Sequence, residues 1–191
     1  MSAPLSHSFC GFLFYPDTTK HLFSNRIYAA SYIILFSNFP DYDFLIGLVL
    51  GDLLWGHRLF THTIFFPLVV GLIAGMGGVV LHKKFLPGFT LTAALVGVHI
   101  LLDYLSFDYE PMNGIGVPLF WPFSTNYYNF PFHPIADYFL TDPSNLSVFL
   151  INNELYYMAI FFGFMFVRKR YLRKKGVLYA YRSHERYSRR A

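Results

Sequence analysis

Residues 63–105 read TIFFPLVVGLIAGMGGVVLHKKFLPGFTLTAALVGVHILLDYL. Thr63 to Leu81 carries no charge and approaches the roughly 20 apolar residues that a helix needs to cross a hydrocarbon core. His82-Lys83-Lys84 interrupts the run. Phe85 to Leu102 then repeats it, with one polar residue of note, His99, and Asp103 at its end. Two apolar helices joined by so short a turn must lie antiparallel, so the start of the first meets the end of the second. The stretch predicts a helical hairpin in a membrane.

The rest of the chain agrees. Of its 191 residues 54% are hydrophobic, 21% aromatic and only 14% charged, against about 25% charged in an ordinary soluble domain. Such a chain lacks the polar groups to cover a water-facing surface, which argues against an ordinary soluble enzyme. Disorder is excluded, because it requires low hydrophobicity and few aromatics. Cys10 is the single cysteine, so no intramolecular disulfide forms. The first 20 residues show no basic segment ahead of an apolar core, so a secretory signal peptide is not expected.

A third apolar run lies at 148–167, broken in its first half by Asn152, Asn153 and Glu154. Two shorter pieces, Tyr28 to Phe39 and Phe44 to Trp55, flank Pro40-Asp41-Tyr42-Asp43. Each is too short to span alone and suits a re-entrant hairpin or two half-helices. Irregular backbone at membrane depth is tolerated only where it lines protein or a wet cavity. The expected fold is therefore an all-α integral membrane bundle, with about three full spans (63–81, 85–105 and 148–167) and two short or re-entrant helices.

Charge sets the orientation. From Arg168 onward ten Lys and Arg face the single acid Glu185, whereas residues 1–167 hold five Lys and Arg against ten acids. The basic block abuts the end of an apolar run, which favours a positive-inside anchor, with anionic lipid headgroups as partners, over a nucleic-acid-binding tail. Both that block and His82-Lys83-Lys84 then face the cytoplasm, while the chain up to His62 and the segment 103–146 lie on the other side. This divides the chain into a membrane domain, 1–167, and a basic tail, 168–191. The aromatic-rich segment from Tyr104 to Phe130 suits headgroup depth. Gly71-x3-Gly75 and Gly47-x3-Gly51 permit close helix packing within the chain.

Ionisable groups in membrane segments cost roughly 2.5–3.5 kcal/mol each on insertion scales, so they persist where they pair, bind or line water. Here they are of metal-ligand type. Asp41 and Asp43 can supply hard oxygen ligands, or one ligand and one base; the alternative is a turn in which they cap backbone N–H groups. His57 and His62 flank Arg58, which is able to clamp a phosphate or carboxylate. The alternative there is an interfacial girdle with Thr61 as a helix cap. His99 and Asp103, at i and i+4, share a helix face, either as joint ligands or as a simple buried pair. His7 can join from the N-terminus or lie at the surface.

On the hairpin topology His62 opens one span where His99 and Asp103 close the next. Asp41, Asp43, His57, His62, His99 and Asp103 can therefore converge on one mixed nitrogen and oxygen site, suited to zinc and also to manganese or iron. Weaker candidates are His133 and Asp137, a turn with a cap, together with Glu154, His21, His82 and His184. There is no Gly-rich phosphate loop, cysteine metal motif or nucleophile elbow.

With these residues in place the chain resembles the YdjM-like predicted membrane-bound metal-dependent hydrolases, also described as LexA-binding inner-membrane hydrolases. The resemblance rests, in order, on Pro4-Leu5-Ser6-His7, Pro40-Asp41-Tyr42-Asp43, His57-Arg58-x-x-Thr61-His62-Thr63 and His99-x3-Asp103. Gly116-Val117-Pro118-Leu119 and Trp121-Pro122-Phe123-Ser124 complete it. More distantly the pattern is similar to the zinc phospholipase C and P1 nuclease superfamily. That likeness implies His7, Asp41 or Asp43, His62, His99 and Asp103 as ligands. A second downstream His-x3-Glu set is lacking, so one or two ions are implied rather than three.

The expected function is that of a metal-dependent hydrolase in the cell membrane, multi-pass, with its site near the non-cytoplasmic interface. Water activated by a divalent ion, zinc or else manganese or iron, attacks an ester or phosphoester. Asp43 or Asp41 accepts the proton, Arg58 holds the anionic group, and a lipid or lipid-linked substrate suits the depth. The rival expectations are a small metal or proton transporter and a non-catalytic membrane scaffold.

Overall fold

The computed structural model describes residues 4–14, 22–52, 57–82, 84–106, 116–131 and 158–171. The regular elements among those residues are helices, with no strand beyond an isolated antiparallel bridge between Val117 and Tyr128. The helices are α1 (Pro4–Gly11), α2 (Arg26–Ser37), α3 (Phe44–Leu50), α4 (Phe66–His82) and α5 (Phe85–Leu105), followed by α6 at 158–171. Short 3₁₀ turns occupy Phe12–Phe14, Pro40–Asp43 and Phe60–His62.

The expected hairpin is present as α4 and α5, closed so tightly that the Lys84 amide donates to the Gly78 carbonyl. Small residues allow this approach: a Cβ on Gly71 would lie 2.9 Å from Ala93 Cβ, and one on Gly88 2.9 Å from the Ala74 carbonyl oxygen. Helix α4 starts three residues later than the apolar run. Proline is tolerated only in a first helical turn, so Pro67 ties the helix start to Phe66 and leaves Thr63 to Phe65 as a turn.

Helix α2 starts at an Asn25 cap, whose side chain accepts from the Ile27 amide, and α3 ends on Gly51 in the left-handed region at φ 80°. Between them the chain bends by 63° through Pro40–Asp43, as the two short apolar pieces flanking that turn led one to expect. Helix α5 buries Leu91, Leu95, His99, Leu102 and Asp103 along one stripe and Gly88, Thr92, Val96 and Ile100 beside it, the three-to-four-residue spacing of one helical face. Helix α2 seats Ile33 against this stripe, with Leu91 and Leu95 as its buried neighbours. Helix α1 crosses both. Arg168 on α6 reaches the first 3₁₀ turn, donating to the Leu13 carbonyl.

Large aliphatic side chains on α3 and α4 face outward, Val49 at 84% and Val80 at 83% exposure among them. Contiguous exposed apolar surface of this kind marks contact with lipid or protein rather than water. Of the described helices, α5 is long and apolar enough to cross a membrane, and the bent pair Arg26–Ser37 and Pro40–Leu50 passes the same test if taken as one span. The apolar part of α4, Phe66–Leu81, is shorter. The described residues thus give one or two spans where about three were expected. The first half of the third expected run, 148–157, lies outside them, as do His21, Lys83, His133, Asp137, Glu154 and the tail beyond residue 171.

Candidate metal centre

Four side chains meet where the hairpin's open end abuts the bend between α2 and α3. Ligand-type atoms of Asp41, His62, His99 and Asp103 all lie within 4.8 Å of one another. His62 Nε2 is 3.2 Å from Asp103 Oδ2 and 3.5 Å from Asp41 Oδ1; His99 Nε2 is 3.3 Å and 3.4 Å from the same two oxygens. The two nitrogens are 3.4 Å apart. A tetrahedron of donors at zinc bond lengths of about 2.05 Å has edges of about 3.3 Å, and five edges here run from 3.2 to 3.5 Å.

Each ligand atom is aimed by the element that carries it. His99 and Asp103 lie one turn apart on α5. His99 Nδ1 is 2.8 Å from the Ser37 carbonyl at the end of α2. A carbonyl only accepts, so Nδ1 donates and the Nε2 lone pair points into the cluster. His62 closes the third 3₁₀ turn just ahead of α4. Asp41 arrives on the turn between α2 and α3. Its Oδ1 is buried and receives no hydrogen bond, although its side chain is 18% exposed, against 0–1% for the other three. A buried carboxylate oxygen with no donor fits a cation.

Asp43 differs from expectation. A 3₁₀ helix turns about 120° per residue, so residues two apart face different sides, and Asp41 and Asp43 do not share a cavity. Asp43 Oδ1 lies 2.7 Å from His57 Nδ1, and Oδ2 accepts from the Arg58 amide at 3.1 Å and the Thr61 hydroxyl at 2.6 Å. The carboxylate is thereby committed to a neighbouring network and stands behind the four-atom cluster. His57 belongs with it, its ring stacked on Phe44 at 3.8 Å.

Arg58 takes the left-handed conformation at φ 60°, uncommon for a non-glycine residue, and is 1% exposed. Its Nη1 donates to the Gly116 carbonyl at 3.3 Å, which ties the 57–62 segment to the 116–128 segment. Gly116 itself needs φ 99°, and a Cβ there would run into the Tyr128 carbonyl.

His7 is fully buried, not at the surface. Its Nε2 is 3.6 Å from Asp103 Oδ1 and its ring stacks on His99 at 3.6 Å, at the edge of the cluster. Burial, with the His99 imidazole alongside, pushes its pKa down to about 3, so His7 is neutral. For His62 burial again opposes charge, but the Asp103 and Asp41 carboxylates beside it outweigh that and raise its pKa. Two buried carboxylates demand positive charge; a proton on His62 meets part of that demand, and a divalent ion would meet it in full. The sequence had offered Thr61 only as a helix cap; its hydroxyl instead bonds Asp43 and sits 2.9 Å from His62 Nδ1. Its place beside His62 was the available signal. The Ser37 carbonyl left no trace in the side-chain pattern.

A family model described as YdjM inner membrane protein matches residues 3–177 of the chain. No curated protein and no solved structure gives a match.

Proposed function

The chain belongs to the YdjM inner membrane protein family, and from that premise we propose a multi-pass membrane protein whose His/Asp cluster holds a catalytic divalent ion for hydrolysing an ester or phosphoester. The observation that carries this reading is the cluster itself: three ligand residues sealed and the fourth, Asp41, at the edge. Catalytic zinc sites keep three protein ligands and one replaceable position. His62, His99 and Asp103 make the sealed three, and Asp41, on a bend rather than a span, is the ligand that can yield. A divalent ion there supplies Lewis acidity and lowers the pKa of water towards neutrality. Two imidazoles and two carboxylates suit zinc, and also manganese or iron. Asp41, once displaced, is the carboxylate open to accept a proton, since Asp43 already holds three donors. A site among lipid-facing helices favours a lipid or lipid-linked substrate.

The test is turnover of generic phosphoesters, carboxylic esters and phospholipids by zinc- or manganese-loaded protein in detergent. Metal-dependent hydrolysis that disappears in Asp103→Ala supports the assignment. A second reading, a purely structural ion, draws on the four donors at tetrahedral spacing. An ion that exchanges only over hours in a protein that turns nothing over would establish that one and overturn catalysis.

In the membrane, α5 and α4 form one hairpin, α2 and α3 re-enter beside it, and α6 with the run from 148 supplies a third crossing. The tail at 168–191 and the Lys83-Lys84 turn face the cytoplasm. In a Cys10→Ser background, an impermeant maleimide is expected to label Phe123→Cys from outside intact spheroplasts and Ser183→Cys only in inverted vesicles. Labelling of both from one side would overturn this topology.

A further inference from the structure

Thr61 stands between His62 and Asp43, and it has one hydroxyl proton to give. Its Oγ1 is 2.6 Å from Asp43 Oδ2 and 2.9 Å from His62 Nδ1. All these atoms are buried. The Asp43 carboxylate also takes the Arg58 amide on Oδ2 and His57 Nδ1 on Oδ1, so it is held as an acceptor. The Thr61 proton therefore goes to Asp43. Oγ1 can then only accept from His62, which requires the hydrogen of that imidazole to be on Nδ1.

We infer that Thr61, oriented by Asp43, is a positioning residue that fixes His62 as the Nδ1–H tautomer and aims its Nε2 lone pair at the position shared with Asp41, His99 and Asp103. The inference rests on the metal-centre reading above and extends it from the ligands to what holds them. The two imidazoles are anchored differently. His99 leans on the Ser37 backbone carbonyl, a neutral acceptor that no side-chain change removes. His62 leans on a hydroxyl backed by a carboxylate, and negative charge relayed through that hydroxyl makes its imidazole the more basic donor. His57 and the Arg58 amide complete the device by keeping Asp43 from turning away.

The experiment is a zinc titration of the full chain in detergent, comparing wild type, Thr61→Val and Thr61→Ser. Valine keeps the shape and removes the hydroxyl; it is expected to weaken zinc binding roughly 10- to 100-fold, the usual effect of losing such a partner. Serine keeps the hydroxyl and should restore binding to within a few-fold of wild type. Nitrogen-15 histidine spectra of the zinc-loaded wild type, assigned with His62→Gln, should show His62 protonated at Nδ1 and bound through Nε2, a signature that folding alone does not dictate. That measurement decides the matter even if the valine variant does not fold. Wild-type affinity in Thr61→Val, or His62 bound through Nδ1, would overturn the role of Thr61 while leaving the metal centre intact. A wild type that takes up no zinc would overturn both, and would do so before any variant is compared.

Discussion

Protein purified in detergent without chelators is expected to carry about one divalent ion per chain, and a His62→Ala/Asp103→Ala double variant none, by elemental mass spectrometry. The magnitude follows from the donor count. Apparent binding free energies of four-ligand zinc sites are about 10–16 kcal/mol, so each ligand supplies about 3 kcal/mol and the loss of two costs roughly 10⁴-fold in affinity. His62 Nε2 and Asp103 Oδ2 are 3.2 Å apart, the shortest of the measured edges, so the pair removes one whole side of the site. The double variant also takes away one of two buried carboxylates whose repulsion burdens the metal-free protein, so the fold should survive. Circular dichroism and size-exclusion profiles provide the control. Metal-free wild type, beside a folded variant, would leave the His/Asp cluster as a structural network.

Gly11→Ala is expected to destabilise the helix packing around the site. Its Cβ would collide with Ser37 Oγ and lie 3.0 Å from Ile33 Cγ2 and 3.2 Å from Leu95 Cδ2. Those three belong to α2 and α5; the Ser37 hydroxyl can turn aside, but Ile33 and Leu95 are fully buried, so α1 must shift outward. Overpacking of this kind costs about 1–3 kcal/mol, read as a fall in thermal midpoint. The displacement also reaches the site, because α1 carries His7 and the Ser37 carbonyl anchors His99; zinc affinity should fall with stability. Gly77→Ala is the matched control. Nothing lies within 4 Å of its Cβ, so replacing a helical glycine there should be neutral or stabilising by up to about 1 kcal/mol. Equal losses in both would mean that α1 does not seat on α2 as described.

What the sequence disclosed and what it withheld divide along a physical line. The α4–α5 hairpin was legible because two uncharged runs and a three-residue basic turn admit one arrangement, and that arrangement alone brings His62 to His99 and Asp103. The break between α2 and α3 was legible from Pro40 and the shortness of its flanks. The phase of a four-residue turn was not: one residue's rotation decides whether Asp41 or Asp43 faces the histidines, and polar character is the same for both. The burial of His7 depends on Gly11 meeting Ser37 across two helices, a long-range contact that leaves no local pattern. The charge of Arg58 is visible in sequence, whereas its positive φ and its bond to Gly116 are products of tertiary structure. The apolar run begins three residues ahead of α4 because hydropathy does not register the limit that Pro67 places on the helix start.

The four donors also have a mechanical meaning. They come from the α2–α3 bend, the segment ahead of α4, and α5, with His62 21 positions beyond Asp41 and His99 37 positions beyond His62. An ion shared among them is a cross-link, closing chain loops as a disulfide would and withdrawing the same configurational freedom from the unfolded chain. With Cys10 its single cysteine, the molecule has no covalent means of making such a tie. An ion held there would be a clasp that protons and chelators undo, and the tightness of the fold would then follow the metal supply of its surroundings.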